Sequence, residues 1–329
     1  MVFLYFILAA IGTVIASIKL SQYADIISAK TAMGGMMVGT LLLAGATSLP
    51  EVSTSFSAAA IGNADIAVGN MIGSNLFNLF ILAAFDFSLR KRRIMERASR
   101  DHIYTASLGL LLTVLVILAL MIRIDISVLG IGLDALLIAL VYIVGMIAIN
   151  KLPKLDSAVE EAEEEGGEEI NEGISAKAAI FRFILAALVI LAAGTALSIT
   201  GDQIAVITGI GSSFIGSFLI AAATSLPEAI SVFVALRLSN INMAIGAVLG
   251  SNIFNMIILA ISDPVYTAGP ILTDVSGSHM IIASGVFLMT VLALYSLMRK
   301  RSVSRLSYAV PPLLILAIYF VASYLNFTY

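Results

Sequence analysis

The stretch GTLLLAGATSLPEVSTSF, from Gly39 to Phe56, decides the fold because the chain contains it twice. GSFLIAAATSLPEAISVF, from Gly216 to Phe233, is the second copy, and the later GSNLFN at Gly73 returns as GSNIFN at Gly250. One constant offset, that between Gly39 and Gly216, aligns the copies without a gap, and 19 of the 40 positions from Gly39 to Asn78 are identical. The chain is therefore an internal duplication, and each half is expected to form the same structural unit.

The composition places both halves in a membrane. Of 329 residues, 60% are hydrophobic and 12% are charged, and the mean hydropathy is +1.05, whereas soluble chains average about 25% charged residues. These values predict an all-α protein that crosses the lipid bilayer of the cell membrane many times. The net charge of −3 averages basic clusters against an acidic run near residue 160, so it indicates no nucleic-acid partner, and nothing indicates an obligatory protein partner. The absence of cysteine excludes disulfides and Cys nucleophiles.

Ten apolar stretches are long enough to cross about 30 Å of hydrocarbon. They lie at about 2–19, 33–61, 66–88, 102–122, 127–149, 177–199, 210–238, 242–262, 279–298 and 306–325. The first lacks a basic segment before it and is interpreted as a retained span. With the N-terminus outside, 17 of the 18 Lys and Arg residues lie in inner loops and only Arg123 lies outside, as the positive-inside rule requires. Five spans per half is an odd number, so the second half must be inverted relative to the first.

Three regions follow from this count. Residues 1–150 form the first five-helix repeat, residues 151–176 an acidic cytoplasmic linker, and residues 177–329 the second, inverted repeat. The linker contains LDSAVEEAEEEGGEEINEGIS, which is typical of a flexible solvated spacer. A regulatory cation-binding segment is the alternative.

Each repeat carries a Pro-Glu pair inside an apolar run, Pro50-Glu51 and Pro227-Glu228. Proline within a helix removes a backbone hydrogen bond, so the helix should kink or unwind there and free its carbonyl groups. A carboxylate at membrane depth is costly, and two facing carboxylates repel each other. One Ca²⁺, two Na⁺ or two protons would neutralise the pair. The alternative is a purely structural pair, in which nearby Thr and Ser hydroxyls satisfy the backbone.

Amide side chains follow each Pro-Glu pair. Asn78 follows Glu51 at the same spacing at which Asn255 follows Glu228, and an amide oxygen can coordinate a cation without adding charge. For Asn75 and Asn252, helix packing and cation binding remain equal alternatives, because small and amide residues at this spacing also favour close helix contact.

Other polar residues in apolar stretches indicate boundaries or packing. Asp86 and Asp134 lie near predicted span ends, and Asp134 has a proline as its repeat counterpart. His102 and His279 also lie at span ends and are predicted to be interfacial. The sequon at Asn326 is a common chance match.

At these motifs the chain resembles the cation/Ca²⁺ exchanger superfamily, particularly compact prokaryotic-type members of its Na⁺/Ca²⁺ exchanger branch. The resemblance lies in GATSLPE ending at Glu51, GNMIGSNLFN ending at Asn78, AATSLPE ending at Glu228 and GAVLGSNIFN ending at Asn255. It implies a secondary active antiporter, not an enzyme, that exchanges Ca²⁺ for Na⁺ by alternating access. The first and sixth spans would slide against the rest.

The resemblance also implies a ligand set of carboxylates, amides, hydroxyls and backbone carbonyls. The central Ca²⁺ would be held by Glu51, Glu228 and the carbonyl groups of Thr47 and Thr224, with Asn78 and Asn255 completing the centre. One flanking Na⁺ site would be lined by Ala44, Thr47, Ser48 and Ser74, and the other by Ala221, Thr224, Ser225 and Ser251. No cofactor is expected besides the transported ions, Ca²⁺ with Na⁺ or H⁺.

Two departures from the family pattern qualify this expectation. Several relatives have Asp at the position of Asn255, which in some branches is associated with K⁺ co-transport, so the amide argues against K⁺ dependence. The second signature has Ala247 where the first has Asn70, so the two sides are expected to coordinate ions differently.

Three alternative functions remain at this point. H⁺-driven Ca²⁺ exchange would use the same two carboxylates. A cation channel is a remote alternative, because paired carboxylates on kinked inverted helices suggest occlusion, which channels do not need. An intramembrane hydrolase would need a nucleophile dyad or a zinc ligand set, and this chain has no Cys and only two His.

Overall fold

The computed structural model describes residues 1–30, 47–153, 155, 174–237, 239–299, 302 and 304–329. The helices of the first half are α1 (Val2–Lys30), α2 (Leu49–Ala60), α3 (Ala64–Ser88), α4 (Ile94–Arg97), α5 (His102–Ile122) and α6 (Leu133–Lys151). Those of the second half are α7 (Ala176–Thr208), α8 (Ser212–Thr224, π-helical at Ile215–Ile220), α9 (Leu226–Arg237), α10 (Ile241–Ser262), α11 (His279–Met298) and α12 (Arg305–Thr328). A short antiparallel hairpin of β1 (Ser127–Val128) and β2 (Ile131–Gly132) precedes α6.

Helix boundaries repeat at the offset of the duplicated sequence. Equivalent positions start the helices at Leu49 and Leu226, at Ala64 and Ile241, and at His102 and His279, and equivalent positions end them at Ala60 and Arg237 and at Lys151 and Thr328. The all-α class and the two-repeat layout are therefore confirmed, with the small hairpin as an addition. How the chain divides near residues 150 and 177 stays a prediction, since residues 156–173 of the acidic linker lie outside the described residues.

Nine of the ten predicted spans have a described counterpart of sufficient length. Eight helices are long and apolar enough to cross a membrane, and α8 with α9, bent by 42° at Ser225, would be a ninth. Of the tenth, at 33–61, the structure describes α2 and the two residues before it. The helices α2 and α9 begin one residue before Pro50 and Pro227, where the sequence predicted a kink or unwinding.

The helices form a buried centre and an apolar rim. The central helices α3 and α10 are the most buried spans, whereas α1, α6 and α7 are buried over less of their surface. On α1, Leu4, Leu8 and Ile15 are 52%, 55% and 57% exposed. Large apolar side chains on an outer surface suit hydrocarbon and not water, so this rim is the surface that faces lipid.

Close packing of α3 on α8 depends on a glycine. A Cβ atom on Gly73 would lie 2.3 Å from the carbonyl oxygen of Ser217, closer than any side chain can approach. This contact supports the packing alternative for the small residues of this motif. It also fixes α8, and therefore the residues just before Glu228, against the central helix.

One prediction about the polar residues was wrong. His279 begins α11, as expected, but it is fully buried and not interfacial. Its Nε2 lies 2.9 Å from Oδ1 of Asp65, in the first turn of α3. The carboxylate supplies the polar partner that makes burial of the imidazole tolerable.

The two aspartates lie at a helix end or in a packing contact, as predicted. Asp86 is buried and accepts a hydrogen bond from Tyr308, and Oδ1 of Asp134 accepts one from the backbone of Ala135 at the start of α6. Asn326 is buried and its amide donates to Ser217, so the sequon is a packing element.

Candidate cation site

Two short helices bring the repeated glutamates to the centre of the molecule. Glu51 lies in the first turn of α2 and Glu228 in the first turn of α9. Their side chains are 1% and 2% exposed, and they are close enough for their charges to interact. A helix N-terminus carries a partial positive charge that favours a carboxylate. That interaction is worth about 1 kcal/mol and cannot by itself offset the burial of two like charges.

Four asparagines join α3 to α10 in a reciprocal pattern. Nδ2 of Asn75 donates to the backbone carbonyl oxygen of Asn252 (3.0 Å), and Nδ2 of Asn252 donates to the backbone carbonyl oxygen of Asn75 (3.2 Å). Asn78 donates to Oδ1 of Asn252 (3.1 Å), and Asn255 to Oδ1 of Asn75 (2.9 Å). Each hydrogen bond has a counterpart between the equivalent residues of the other repeat. This is what a two-fold axis between inverted repeats requires.

The asparagine pattern separates two roles. Asn75 and Asn252 use both ends of their amides in contacts between α3 and α10, which supports the packing alternative for them. Asn78 and Asn255 donate through nitrogen, and their Oδ1 atoms are buried without a hydrogen-bond partner among the described residues. Those two oxygens are therefore available as cation ligands.

Acceptor oxygens without donors accumulate at this centre. Within the described ranges, Oε2 of Glu51, both carboxylate oxygens of Glu228 and Oδ1 of Asn78 and of Asn255 are buried and have no hydrogen-bond partner. Neither glutamate has an ion pair with a basic side chain in the described part of the chain. Unpaired buried carboxylates are strongly unfavourable. Carboxylate and amide oxygens are the ligands that hard cations prefer, so the arrangement fits a bound cation.

Hydroxyl groups link the two halves around the glutamates. Ser225 donates to Oε1 of Glu51 at 3.3 Å, and the hydroxyls of Ser74 and Thr224 lie 3.4 Å apart. Ser74, from the first half, thus contacts Thr224 from the second. The predicted flanking sites grouped these residues by half, whereas the described contacts cross between halves. The ligand assignments themselves stay predictions.

The remaining predicted ligands surround the same centre. Thr47, Ser48 and Ser251 are buried, and Oγ of Ser48 has no partner among the residues that the structure describes. The carbonyl oxygen of Ala221 lies 3.3 Å from the hydroxyl of Thr224. Ala44 lies outside the described residues.

Asn70 is a residue of the site that sequence reasoning did not include among the ligands. It is fully buried, its Oδ1 accepts from Thr224 (3.1 Å), and its Nδ2 donates to Ser55 (3.1 Å) and lies 3.4 Å from the carbonyl oxygen of Glu51. The equivalent of Asn70 is Ala247 and that of Ser55 is Val232. We call these hydrogen bonds of Asn70 the brace, and only the first half contains it. The difference between Asn70 and Ala247 was the feature of the sequence that could have revealed it.

Asn70→Ala should weaken cation binding at this centre without abolishing it. The substitution removes three hydrogen bonds at about 1 kcal/mol each. Since the glutamates and the other amides stay in place, we expect a roughly tenfold rise in the dissociation constant of a bound cation. The measurement is equilibrium binding of radioactive Ca²⁺, used as the probe cation, over a concentration series.

Ser296→Ala is the matched control, since it removes a buried hydroxyl that bonds within its own helix, to the carbonyl oxygen of Leu292. An unchanged dissociation constant for Asn70→Ala would show that these hydrogen bonds do not affect the site.

A family model matches nearly the whole chain, and curated relatives match most of it. The model described as sodium/calcium exchanger protein matches residues 1–149 and 178–328. The inner membrane protein YrbG of Escherichia coli K12 is 24% identical over 256 residues, which are 77% of each chain. A putative antiporter CaxA of Alkalimonas amylolytica is 25% identical over 270 residues, 82% of each chain.

Solved structures share the fold. The H⁺/Ca²⁺ exchanger CAX has a TM-score of 0.70 at 15% identity, covering 99% of this chain and 86% of its own. The sodium-calcium exchanger NCX_Mj has a TM-score of 0.58 at 22% identity, covering 98% of both chains. Native YfkE has a TM-score of 0.64 at 17% identity, covering 98% of this chain and 92% of its own.

Proposed function

Because this multi-pass protein of the cell membrane belongs to the sodium/calcium exchanger family, we propose that it exchanges Ca²⁺ for Na⁺ across that membrane. Membership makes it an antiporter of the Na⁺/Ca²⁺ and H⁺/Ca²⁺ exchanger type. That Ca²⁺ is the transported ion and Na⁺ the coupling ion is what we propose beyond family membership.

One observation carries the proposal. Two buried glutamates and two asparagines present five acceptor oxygens that have no donor among the described residues. An oxygen set with two negative charges matches one Ca²⁺ or two Na⁺ in charge and in ligand type. Since either occupant neutralises the same carboxylates, they exclude each other. Competition of this kind is the basis of coupled exchange.

The helix breaks support movement of ions through this centre. In lipid, irregular backbone is tolerated only where it is buried or lines a cavity, and the break at Ser225 lies beside the oxygen cluster. Discontinuous helices at the interface of inverted repeats are the usual location of substrate and coupling-ion sites in secondary transporters. A site between two inverted halves can open to one side at a time.

H⁺/Ca²⁺ exchange is the second candidate. Two carboxylates without basic partners in the described ranges can be neutralised by protons as well as by Na⁺, and the protein whose name is H⁺/Ca²⁺ exchanger CAX shares this fold. The two candidates differ in the ion whose gradient drives Ca²⁺.

Separate ion gradients in proteoliposomes distinguish them. We expect vesicles loaded with Na⁺ to accumulate radioactive Ca²⁺ at constant pH, and a pH gradient in Na⁺-free medium to drive none. The reverse result would replace Na⁺ by H⁺ as the coupling ion. Single-channel currents in a planar bilayer would contradict antiport of either kind.

Asn255→Asp should make transport dependent on pH. A third carboxyl group beside Glu51 and Glu228 adds a charge that must be protonated or paired when Ca²⁺ is bound. Because Ca²⁺ neutralises only two of the three carboxylates, we expect Ca²⁺ flux to fall relative to the wild type by about tenfold per pH unit as the pH rises through the pKa of the new carboxyl group, which corresponds to one additional coupled proton, or to become sensitive to K⁺.

The control for this variant is Asn150→Asp, which makes the same change at an exposed position near the end of α6. A flux profile for Asn255→Asp that neither pH nor K⁺ alters would remove Asn255 from the centre.

A further inference from the structure

The helices α2 and α7 are joined by side-chain hydrogen bonds along their length. The bonds run from Ser53 to the carbonyl oxygen of Leu191 (2.9 Å), from Ser198 to that of Thr54 (2.6 Å), and between Ser57 and Thr195 (2.8 Å). By the positive-inside rule this contact lies in the outer half of the membrane, because α2 leads to the loop opposite the basic segment Arg90–Arg93. It holds α2 and α7 together at that end of the molecule.

A further bond closes the outer end of this contact. Nδ2 of Asn63 donates to Oδ1 of Asp202 on α7 at 2.6 Å, and it also lies 3.4 Å from the hydroxyl of Ser212. Oδ1 of Asn63 accepts from the backbone nitrogen of Ile66 at 2.9 Å and so caps α3. One amide therefore ties the start of the central helix to α7.

The duplication preserves both partners of this bond. Asn240 and Asp25 occupy the positions equivalent to Asn63 and Asp202. Asn240 caps α10 as Asn63 caps α3, accepting from the nitrogen of Met243 at 2.9 Å. In the described part of the chain, no hydrogen bond from its Nδ2 is found. Asp25 lies on α1.

The two ends of the molecule are in different states. Whereas α2 packs along α7, its equivalent α9 touches α1 over a much shorter stretch. Phe233 and Val234 of α9 are 49% and 47% exposed, while their equivalents Phe56 and Ser57 on α2 are half-buried. Among the described residues, α2 and α7 therefore make close contact at the outer end, and α9 and α1 make less contact at the inner end.

We propose that Asn63 and Asp202 form a latch that holds the outer end closed, and that Asn240 and Asp25 form the same latch at the inner end in the opposite conformation. The proposal rests on the proposed exchange function, in which the site faces each side in turn. Breaking one bond and making its copy would let α1 and α7 move between two states, each with one such hydrogen bond. Each amide keeps its helix cap throughout, so only the donor nitrogen changes partner.

Asn63→Asp removes the hydrogen bond to Asp202 and keeps the cap of α3. Asp caps a helix as well as Asn does, but it offers no donor and places a negative charge against Asp202. The outer end should open in this variant. Asn63→Asp combined with Asp202→Asn restores one donor and one acceptor with their positions exchanged, and it should close the outer end again. Asn240→Asp would remove the donor of the proposed inner latch and add a second negative charge to it, and should therefore favour the closed outer end.

The distance across the outer end can be measured without transport. The chain has no native cysteine, so spin labels at Ile61→Cys and Gln203→Cys, both exposed, report only this separation. We expect a longer distance between the labels in Asn63→Asp than in the wild type. The distance should return to the wild-type value when Asn63→Asp is combined with Asp202→Asn, and it should be no longer than the wild-type value in Asn240→Asp. Asn150→Asp is the control and should leave the distance unchanged.

Transport gives the second readout. A population shift changes apparent affinity by the fraction of competent molecules, so Asn63→Asp should raise apparent affinity for external Ca²⁺ by about tenfold and Asn240→Asp should lower it. An unchanged label distance in Asn63→Asp, or shifts of the same sign in Asn63→Asp and Asn240→Asp, would overturn the latch. Because the labels respond without any transported ion, a failure of Ca²⁺ exchange alone would leave the distance result standing.

Discussion

Replacing Glu51 with Gln is expected to abolish Ca²⁺ transport while leaving the fold intact. Gln has nearly the same shape, and its amide can still accept the hydrogen bond from Ser225. The centre then keeps only the charge of Glu228, which cannot neutralise a divalent ion. Removing the carboxylate that would pair with a buried Ca²⁺ costs about 3–5 kcal/mol, which is roughly 10²–10⁴-fold in affinity. Glu228→Gln should behave in the same way, because both of its oxygens are without a donor among the described residues.

Two measurements separate loss of binding from loss of folding. Ca²⁺ at about 100 times its dissociation constant should stabilise the wild type by about 2.7 kcal/mol, and Glu51→Gln should lose this gain. Without cations the variant should unfold at a temperature no lower than the wild type, since one of two repelling carboxylates is gone. Asp125→Asn, which neutralises an exposed acid in the loop before β1, is the control and should transport normally. Near-normal uptake by Glu51→Gln would refute the central role of this residue.

Gly73→Ala should disrupt the packing of α3 on α8. The added Cβ would lie 2.3 Å from the carbonyl oxygen of Ser217, 2.4 Å from its Cα and 2.7 Å from its carbonyl carbon. These are backbone atoms, so no rotamer change relieves the overlap, and one helix must move. Overpacking of this kind costs about 1–3 kcal/mol. We expect a lower unfolding temperature and strongly reduced Ca²⁺ transport, because α8 leads directly to Thr224 and Ser225.

Gly12→Ala is the matched control. Gly12 also lies in a membrane-spanning helix, α1, and no described atom lies within 4 Å of the Cβ it would gain. This variant should be stable and active. If Gly73→Ala matched it in unfolding temperature and in transport, the close approach of α3 and α8 would not matter to the protein.

The duplication explains why so much of the fold was predictable. Once the offset between the two copies is known, a helix boundary found in one half applies to the other, as at Ala64 and Ile241. The position of the helix break was predictable as well, because proline cannot donate the hydrogen bond that a continuous helix needs. Both features depend on residues close together in the chain.

Contacts between the halves were not predictable in this way. The bond of Asn70 to Thr224 joins residues 154 positions apart, and it depends on how α3 docks against α8. Burial of His279 likewise depends on Asp65, which lies in the other half. A span end is assigned from hydropathy, which does not reveal whether other elements cover it. The way the helices of the two repeats pack decides which residues meet across them. That packing cannot be read directly from a single sequence.

The hydrogen bonds between α2 and α7 cannot all be copied at the other end of the molecule. Ser57 and Thr195 correspond to Val234 and Ile18, and Ser53 corresponds to Ile230, so an equivalent seal between α9 and α1 would lack those hydroxyl contacts. In the proposed exchange cycle, the inward-open and outward-open forms would thus be unequal in energy although they share one scaffold. We expect the form that receives ions from the cytoplasm to predominate, and the apparent affinity for ions to be higher on the inner side than on the outer side.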